Sequence, residues 1–347
     1  MYDIIIIGAG ASGLIAASQL KNQKICIIDK NQKIGSKIKV SGGGKCNITN
    51  EYLNSEYFDG NQDFITKTFS QFDNISLLKF LKINNLKTTL NEKIVKGTYF
   101  CNSSDEVISM FLMLTKHCEF LLDCEVLDVE YEHNEYLIKT SKKTLKCKKL
   151  IVSTGGLSYP ILGATDIGYK IGQKFGHSIV KQNPALVGFT VQKDQFWFKE
   201  LSGLSMDARV TIGNKTLKGS LLFTHKGCSG PVILSTSLYW VKGQISIDFS
   251  PEKDSYLPKR FKQAVKDMDI NIHDYQMSPA GNFGYTKAEV TRGGISVDEI
   301  NFNFESKIQK NLFFIGEVLD VTGELGGYNF QWAFSSGYVC GTKLNKS

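Results

Sequence analysis

The sequence predicts an α/β fold: a Rossmann-like domain built from both ends of the chain and interrupted by a mostly β insert. Three observations carry this. Residues 2–8 are an apolar run ending in glycine, followed by a helical pattern at 12–22 and a second apolar run, KICIID, at 24–29. Strand, helix and strand in that order make a βαβ unit with parallel strands buried on both faces. Between about 187 and 250, VGFTVQ, ARVTIG, LKGSLLF and QISIDF alternate with period two, as antiparallel strands do. Near the end, NLFFIG at 311–316 is another buried-type strand, followed by a glycine-rich turn and a helical pattern at 328–343.

The remaining elements follow in order. Residues 34–50 are rich in glycine and polar groups, and helical patterns cover 61–84 and 104–117. Short strands, including EVLDVEYE and EYLIKT, fill 119–148, and KKLIVSTGG at 148–156 reads as a buried strand ending in glycines. A short helix at 229–239 interrupts the alternating region, and a helical piece follows at about 256–268. The predicted domains are 1–186, an insert at 187–290 with its short helical piece at 256–275, and a return to the first domain at 291–347.

Composition bounds the function. At about 150 residues per domain, 347 residues make roughly two domains. With 42% hydrophobic and 22% charged residues, disorder, collagen-like repeats and coiled coil are excluded. No apolar run reaches the length of about 18 that a membrane span needs, and the N-terminus lacks a basic n-region and a cleavage site. The eight cysteines form no C-x-x-C pair, so reduced thiols in a cytoplasmic protein are expected. The five histidines and the cysteines show no metal-ligand spacing. The net charge of +7 reads first as a solvated surface and second as a site for a polyanion.

Gly8, Gly10 and Gly13 form G-x-G-x-x-G between a strand and a helix, the setting that gives this pattern meaning. The first glycine permits a tight turn, the second a close approach to a pyrophosphate, and the third close helix–strand packing. The phosphates then face the positive end of the helix. Asp29 ends the second strand. An acid there accepts hydrogen bonds from ribose hydroxyls and disfavours a 2′-phosphate, which points to FAD or NAD over NADP. FAD is longer and needs distant segments to hold its ring. Three glycine-rich turns are available: 41–47 (SGGGKCN), 154–156 (TGG), and Gly316-Glu317 together with Gly326, Gly327, Tyr328 and Asn329. The last precedes a helix, whose N-terminus stabilises negative charge at the flavin N1/O2 edge.

SGGGKCNITN (41–50), PALVGF (184–189), LFTHKGCSGP (222–231), TRGGI (291–295) and GEVLDVTGELGGYNFQWAFSSG (316–337) resemble the HI0933-like flavoproteins, the YhiN or BaiN-like family, over nearly the whole chain. The resemblance implies a two-dinucleotide-binding-domain FAD fold with inserted β-barrel-like and helical domains. The helical insert, usually longer in the family, is reduced here to about 256–275. By motif, Gly8, Gly10, Ala11, Gly13 and Asp29 hold the ADP half, joined by Lys30 and Lys37. Ser41, Gly42, Gly43, Gly44, Lys45, Cys46 and Asn47 lie along the pyrophosphate and flavin. Val126 meets adenine through its backbone. Thr154, Gly155 and Gly156 cover the cofactor. Gly316, Glu317 and Asp320 reach the ribityl chain or ring, and Gly326, Gly327, Tyr328 and Asn329 the pyrimidine edge.

Single residues carry alternatives. Cys46 is a redox or proton-donating group, or equally a small buried filler; no resolving cysteine lies near it in sequence. His225 is the best proton donor among the histidines, or a residue that fixes its loop. Lys45 and Arg292 bind an anionic substrate or the pyrophosphate, or are solvated; with Lys226 they are the basic residues nearest the active-site motifs if RNA is the substrate. Phe196, Trp197 and Phe198 stack a flat substrate or pack a core.

There is no second strand–GxGxxG–helix unit, which excludes a two-Rossmann disulfide reductase, so reduced flavin is expected to come from NAD(P)H bound transiently or from another donor. Reactions in the family reduce a C=C bond conjugated to a carbonyl: hydride to the β-carbon, proton to the α-carbon. The first reading is an FAD-dependent oxidoreductase that converts uridine to dihydrouridine in large-subunit ribosomal RNA. The alternatives are a small-molecule enone reductase or amine oxidase, and a non-catalytic FAD-binding redox sensor. Neither DNA nor a membrane is an expected partner.

The glycine turn supplies a direct test. Gly10→Glu places a carboxylate where the pyrophosphate approaches, so the purified variant is expected to be colourless. Full FAD occupancy, read from visible absorbance, would remove the pyrophosphate from this turn.

Overall fold

Four isoleucines start the fold. In β1 (Tyr2–Ile7) they are buried on both faces, each worth about 1.5–3 kcal/mol of removal from water. The computed structural model describes every residue except 92–94, 253–256 and 347, and the side chain of residue 346. It divides into two compact units, one of residues 1–183 and 291–347, the other of residues 184–290.

In the first unit β1 leads through α1 (Ala11–Gln19) to β2 (Ile25–Ile28). Then come α2 (Ser36–Val40), β3 (Asn47–Asn50), β4 (Phe58–Gly60), α3 (Gln62–Gln71), α4 (Asn74–Ile83), β5 (Thr88–Asn91), β6 (Thr98–Cys101) and α5 (Ser104–Leu114). Strands β7 (Glu119–Leu121), β8 (Val126–Glu132), β9 (Glu135–Thr140) and β10 (Thr144–Val152) follow, then α6 (Ile167–Lys174) and β11 (Ile179–Ala185). The main sheet runs β7-β2-β1-β10-β9-β8. Strands β7, β2, β1 and β10 are parallel, and β9 and β8 add an antiparallel hairpin.

The second unit holds β12 (Phe189–Val191), β13 (Ser205–Ile212), β14 (Lys215–Thr224), β15 (Gly227–Ser229), α7 (Pro231–Tyr239), β16 (Ile245–Asp248), α8 (Lys259–Val265), β17 (Tyr275–Met277) and β18 (Pro279–Asn282). Its strands form one antiparallel sheet, β17-β16-β13-β14-β15-β12-β18. The chain returns to the first unit along β19 (Val290–Ile295), β20 (Leu312–Phe314), β21 (Val321–Gly323) and α9 (Tyr328–Lys346). Strand β20 pairs in parallel with Leu150–Val152 of β10, so the last part of the chain completes the sheet that the first part began.

Two expectations change. The helix read over 61–84 is two helices. Phe72 is extended and stacks on Tyr338 with centroids 3.8 Å apart. Asp73 then caps α4 by accepting from Ser76 N at 2.7 Å, and an aspartate in that role starts a helix rather than continuing one. The helix read over 256–268 is confined to α8 among the described residues; its first residue, 256, lies outside them. The aromatic run 196–198 splits. Phe198 is fully buried with Phe223 and Phe249, Trp197 donates to Tyr275 Oη at 3.1 Å, and Phe196 stays exposed beneath Lys199. Core packing therefore accounts for Phe198 and Trp197.

Helix α9 lies directly on α1. A Cβ on Gly337 would meet the Ser12 carbonyl oxygen at 2.3 Å. Gly337→Ala is expected to destabilise the protein by about 1–3 kcal/mol through overpacking, against the gain that alanine brings to an open helix. Urea unfolding checks this; a stabilised variant would mean that the helices do not meet so closely.

Candidate functional site

The turn between β1 and α1 is built from backbone contacts. Gly8 has φ +108, and a Cβ there would sit 2.4 Å from the Ser153 carbonyl oxygen. A Cβ on Gly13 would meet the Gly8 carbonyl oxygen at 2.2 Å. Ser153 Oγ donates to the carbonyls of Ile7 and Gly8, both at 2.9 Å. Gly10 differs: nothing lies within 4 Å of a Cβ built on it. It is the N-cap of α1, has no side-chain cap, and no acid occupies the first turn that Ala11 begins. A bare helix N-terminus facing open space suits an anionic pyrophosphate.

Asp29 stands beside this turn. Its carboxylate accepts from Ala9 N at 2.7 Å and Asn31 N at 2.8 Å. Burial pushes its pKa up, and the two backbone donors pull against that rise. Lys30 is exposed and pairs with Glu125 at 2.8 Å. Val126 is buried and opposite Thr140 in the β8–β9 hairpin.

The loop after α2 is wound left-handed. Gly42, Gly43, Gly44 and Cys46 have φ of +55, +64, +87 and +56. Successive N–H groups in such a bend suit an anion, and Gly43 and Gly44 have open space where a Cβ would stand. Ser41 Oγ donates to the Ile38 carbonyl at 2.8 Å, and Asn47 begins β3 opposite Phe100. The Cys46 thiol is buried, which pushes its pKa up to about 12. It is therefore a protonated thiol and not a nucleophilic thiolate. The fold places Cys101, also buried, on the strand that faces this loop, with its N–H bonded to the Lys45 carbonyl at 3.0 Å. Sequence distance concealed this neighbour.

Glu317 joins the remaining segments. One oxygen accepts from Lys37 Nζ at 2.7 Å, and the other from Thr291 N at 2.8 Å. A Cβ on Gly156 would stand 2.9 Å from the second oxygen, and one on Gly155 3.7 Å from the first. Thr291 Oγ1 also accepts from Leu157 N and Ser158 N at 2.8 and 3.1 Å. Thr154 packs on Gly168, where a Cβ would meet its Oγ1 at 2.1 Å. Gly316 is held by α9 through both backbone groups: its N–H donates to Ser336 Oγ at 3.0 Å and its carbonyl accepts from Trp332 Nε1 at 3.1 Å. Thr291, next to Arg292 in TRGGI, is the organising residue that sequence reasoning passed over.

At the start of α9 the side chains serve the scaffold. Asn329 exchanges hydrogen bonds with the Gly323 backbone at 2.9 and 2.7 Å. Tyr328 is buried, stacks on Tyr57 at 5.1 Å, and has its pKa raised by burial. A Cβ on Gly327 would meet the Thr49 carbonyl oxygen at 2.4 Å, and one on Gly326 would meet Val95 at 2.6 Å. These glycines are therefore demanded by packing on β3 and its surroundings. What this end offers a ligand is the N–H groups of the helix, not the side chains of Tyr328 or Asn329.

Arg292 donates through Nε to Asp59 at 2.6 Å, so it is an ion-paired group. Asp320 lies near that pair. Burial and the charge of Asp59 push its pKa up to about 6, against the pull of Arg292. His225 and Lys226 belong to the second unit, exposed in the turn between β14 and β15. Thr224 Oγ1 fixes that turn by accepting from Gly227 N at 3.1 Å. Among the described residues no hydrogen bond ties the His225 imidazole. No described group of three or more His, Cys, Asp or Glu could hold a metal ion, and no described helix is long and apolar enough to cross a membrane.

The HI0933-like protein Rossmann domain matches residues 2–343. A ribosomal RNA dihydrouridine synthase of Haemophilus influenzae is 35% identical over 398 aligned positions, covering 99% of this chain and 98% of that protein. A 3-dehydro-bile acid delta(4,6)-reductase of Clostridium scindens is 26% identical and covers 98% of each chain. The alignments are longer than the 347 residues here, so these relatives carry segments that this chain lacks. The structure of 3-ketosteroid-delta4-(5alpha)-dehydrogenase from Rhodococcus jostii RHA1 superposes with TM-score 0.59 at 10% identity, over 100% of this chain and 97% of that one, which is a likeness of fold. Together the fold and its family match define an FAD-dependent oxidoreductase. The chain belongs to the HI0933-like family.

Asp320 gives a pH test. A carboxyl whose pKa is higher in the folded state than in the unfolded chain favours folding below the unfolded pKa and opposes it as pH rises through about 6. Asp320→Asn is therefore expected to raise the melting temperature above pH 6 and to leave it nearly unchanged below about pH 4. A constant difference across that range would show that Asp320 does not titrate as its burial implies.

Proposed function

We propose that this protein reduces uridine to dihydrouridine in large-subunit ribosomal RNA, in the cytoplasm, with NAD(P)H as transient electron donor. The observation that carries the reading is the 35% identity, over nearly the full length of both chains, to a protein named as a ribosomal RNA dihydrouridine synthase.

The residues fit FAD. The open space at Gly10 and the uncapped start of α1 accept the pyrophosphate, and Asp29 accepts from ribose hydroxyls. The left-handed run Gly42–Gly44, Glu317 and the N–H groups at the start of α9 would hold the rest of the molecule. When bound, the flavin supplies hydride to an electron-poor carbon. In uracil that carbon is C6, the β-position of the C5=C6–C4=O system, and C5 takes a proton. Donors at the start of α9 favour negative charge nearby, an effect worth roughly 3 kcal/mol per oriented donor in comparable sites. We propose His225, whose imidazole is exposed and makes no hydrogen bond among the described residues, as the donor of the proton for C5.

The reading is tested by nucleoside mass spectrometry of ribosomal RNA from cells with and without the gene. Deletion is expected to remove a dihydrouridine and the wild-type gene to restore it, whereas His225→Ala is expected to restore less than a hundredth of the wild-type rate, consistent with a lost general acid. Unchanged dihydrouridine after deletion would sink the RNA reading. It would favour reduction of a small conjugated enone, the chemistry named for the C. scindens relative.

A further inference from the structure

We infer that the small sheet formed by β3, β6 and β5 is an RNA-binding edge of the first unit, where Lys45 over Phe100 and Lys96 over Tyr52 grip a single strand. The inference rests on RNA being the substrate and says where the chain holds it.

Lys45 Nζ lies 5.3 Å from the centroid of the Phe100 ring, and Lys96 Nζ lies 5.3 Å from that of Tyr52. Both lysines are exposed, Phe100 is half-buried, and 43% of the Tyr52 surface is open. An ammonium held over a ring face is ordered without being neutralised. Elsewhere in this unit, Lys30, Lys37, Lys39, Lys67, Lys139 and Lys174 each meet a carboxylate, whereas Lys24, over the Tyr2 ring, is like this pair in meeting none among the described residues. Among the described residues Lys45 and Lys96 meet none.

The backbone ties both cations to the glycine turns assigned to the flavin. Lys45 follows Gly44 directly, and its carbonyl accepts from Cys101 N at 3.0 Å. The Lys96 carbonyl accepts from Asn50 Nδ2 at 3.0 Å, and the same amide donates to the Gly326 carbonyl at 3.0 Å. Tyr52 is held in turn, since a Cβ on Gly97 would lie 2.7 Å from its ring. In the register Asn47↔Phe100 and Asn50↔Thr98, Lys45 and Lys96 stand at opposite ends of the β3–β6 pair, roughly 15 Å apart along the strands. That separation is too long for one phosphate group and suits an extended polyanion. Two exposed cations, one over the exposed Tyr52 ring and one over the half-buried Phe100 ring, match the phosphates and bases of a single strand.

The test uses the FAD-loaded protein and a fluorescein-labelled, uridine-containing single-stranded RNA of about 12 nucleotides. Anisotropy is read across a KCl series for wild type, Lys45→Gln, Lys96→Gln, Tyr52→Ala and, as control, Lys21→Gln just beyond the C-terminal end of α1. Each lysine variant of the edge is expected to reduce the slope of log K against log salt by about 0.7. Tyr52→Ala is expected to weaken binding about tenfold with the slope unchanged, and Lys21→Gln to match wild type. Flavin absorbance and melting temperature report folding. Lys96 and Tyr52 lie outside the glycine loop, so their variants decide the matter even if Lys45→Gln loses FAD. Wild-type slope and affinity in both Lys96→Gln and Tyr52→Ala would overturn the RNA edge. If deletion of the gene still abolishes dihydrouridine while these two variants restore it fully, this surface alone is wrong. If deletion leaves dihydrouridine intact, the substrate reading itself has failed.

Discussion

The first unit depends on backbone meeting backbone where no side chain stands. Gly13 against the Gly8 carbonyl, Gly8 against Ser153, and Gly337 and Gly341 against the carbonyls of Ser12 and Ala16 set α1 between the sheet and α9. A helix this close presents its N-terminus at the ends of the parallel strands, where an anion gains from unpaired N–H groups. The same approach fixes Gly316, clasped by Ser336 and Trp332 of α9. The Gly8–Gly13 turn and the Gly316–Glu317 turn are thus held against each other by one helix pair.

Charge within the unit follows a second constraint: acids near the glycine turns are engaged with the chain itself. Asp29 takes two backbone donors, and Glu317 takes Lys37 and Thr291. Asp59 takes Arg292, whereas Asp320 carries the cost of burial beside them. These bonds fix loops that come from remote parts of the chain. Carboxylates held by N–H groups keep further lone pairs for hydroxyl donors such as those of a ribose or ribityl chain.

The second unit is organised differently. Phe198, Phe223, Phe249 and Phe261 are fully buried and pack edge and face around Trp197 and Tyr275. Such rings contribute area and mutual orientation to a sheet with few helices of its own. The turn bearing His225 and Lys226 projects from that sheet with both side chains exposed, and it is held by Thr224 and the paired β14 and β15.

The sequence by itself determined the elements whose signal is local: the isoleucine strand, G-x-G-x-x-G with Asp29 after it, the alternating strands of the insert, and the return strand with its glycine turn. Periodicity and glycine spacing are properties of neighbouring residues, so they survive without coordinates. The break at Phe72–Asp73 lay within reach of the same reasoning, because aspartate is a strong N-cap. Only the tertiary structure decided which distant side chains share a place. It set Glu317 on Lys37 and Thr291, Arg292 on Asp59, and Cys101 across from the loop of Cys46. It also showed that Gly326 and Gly327 answer to β3 packing and that the amide of Asn329 is spent on Gly323. Such facts come from contacts across tens to hundreds of residues, which the close packing of an interior fixes and no local pattern encodes.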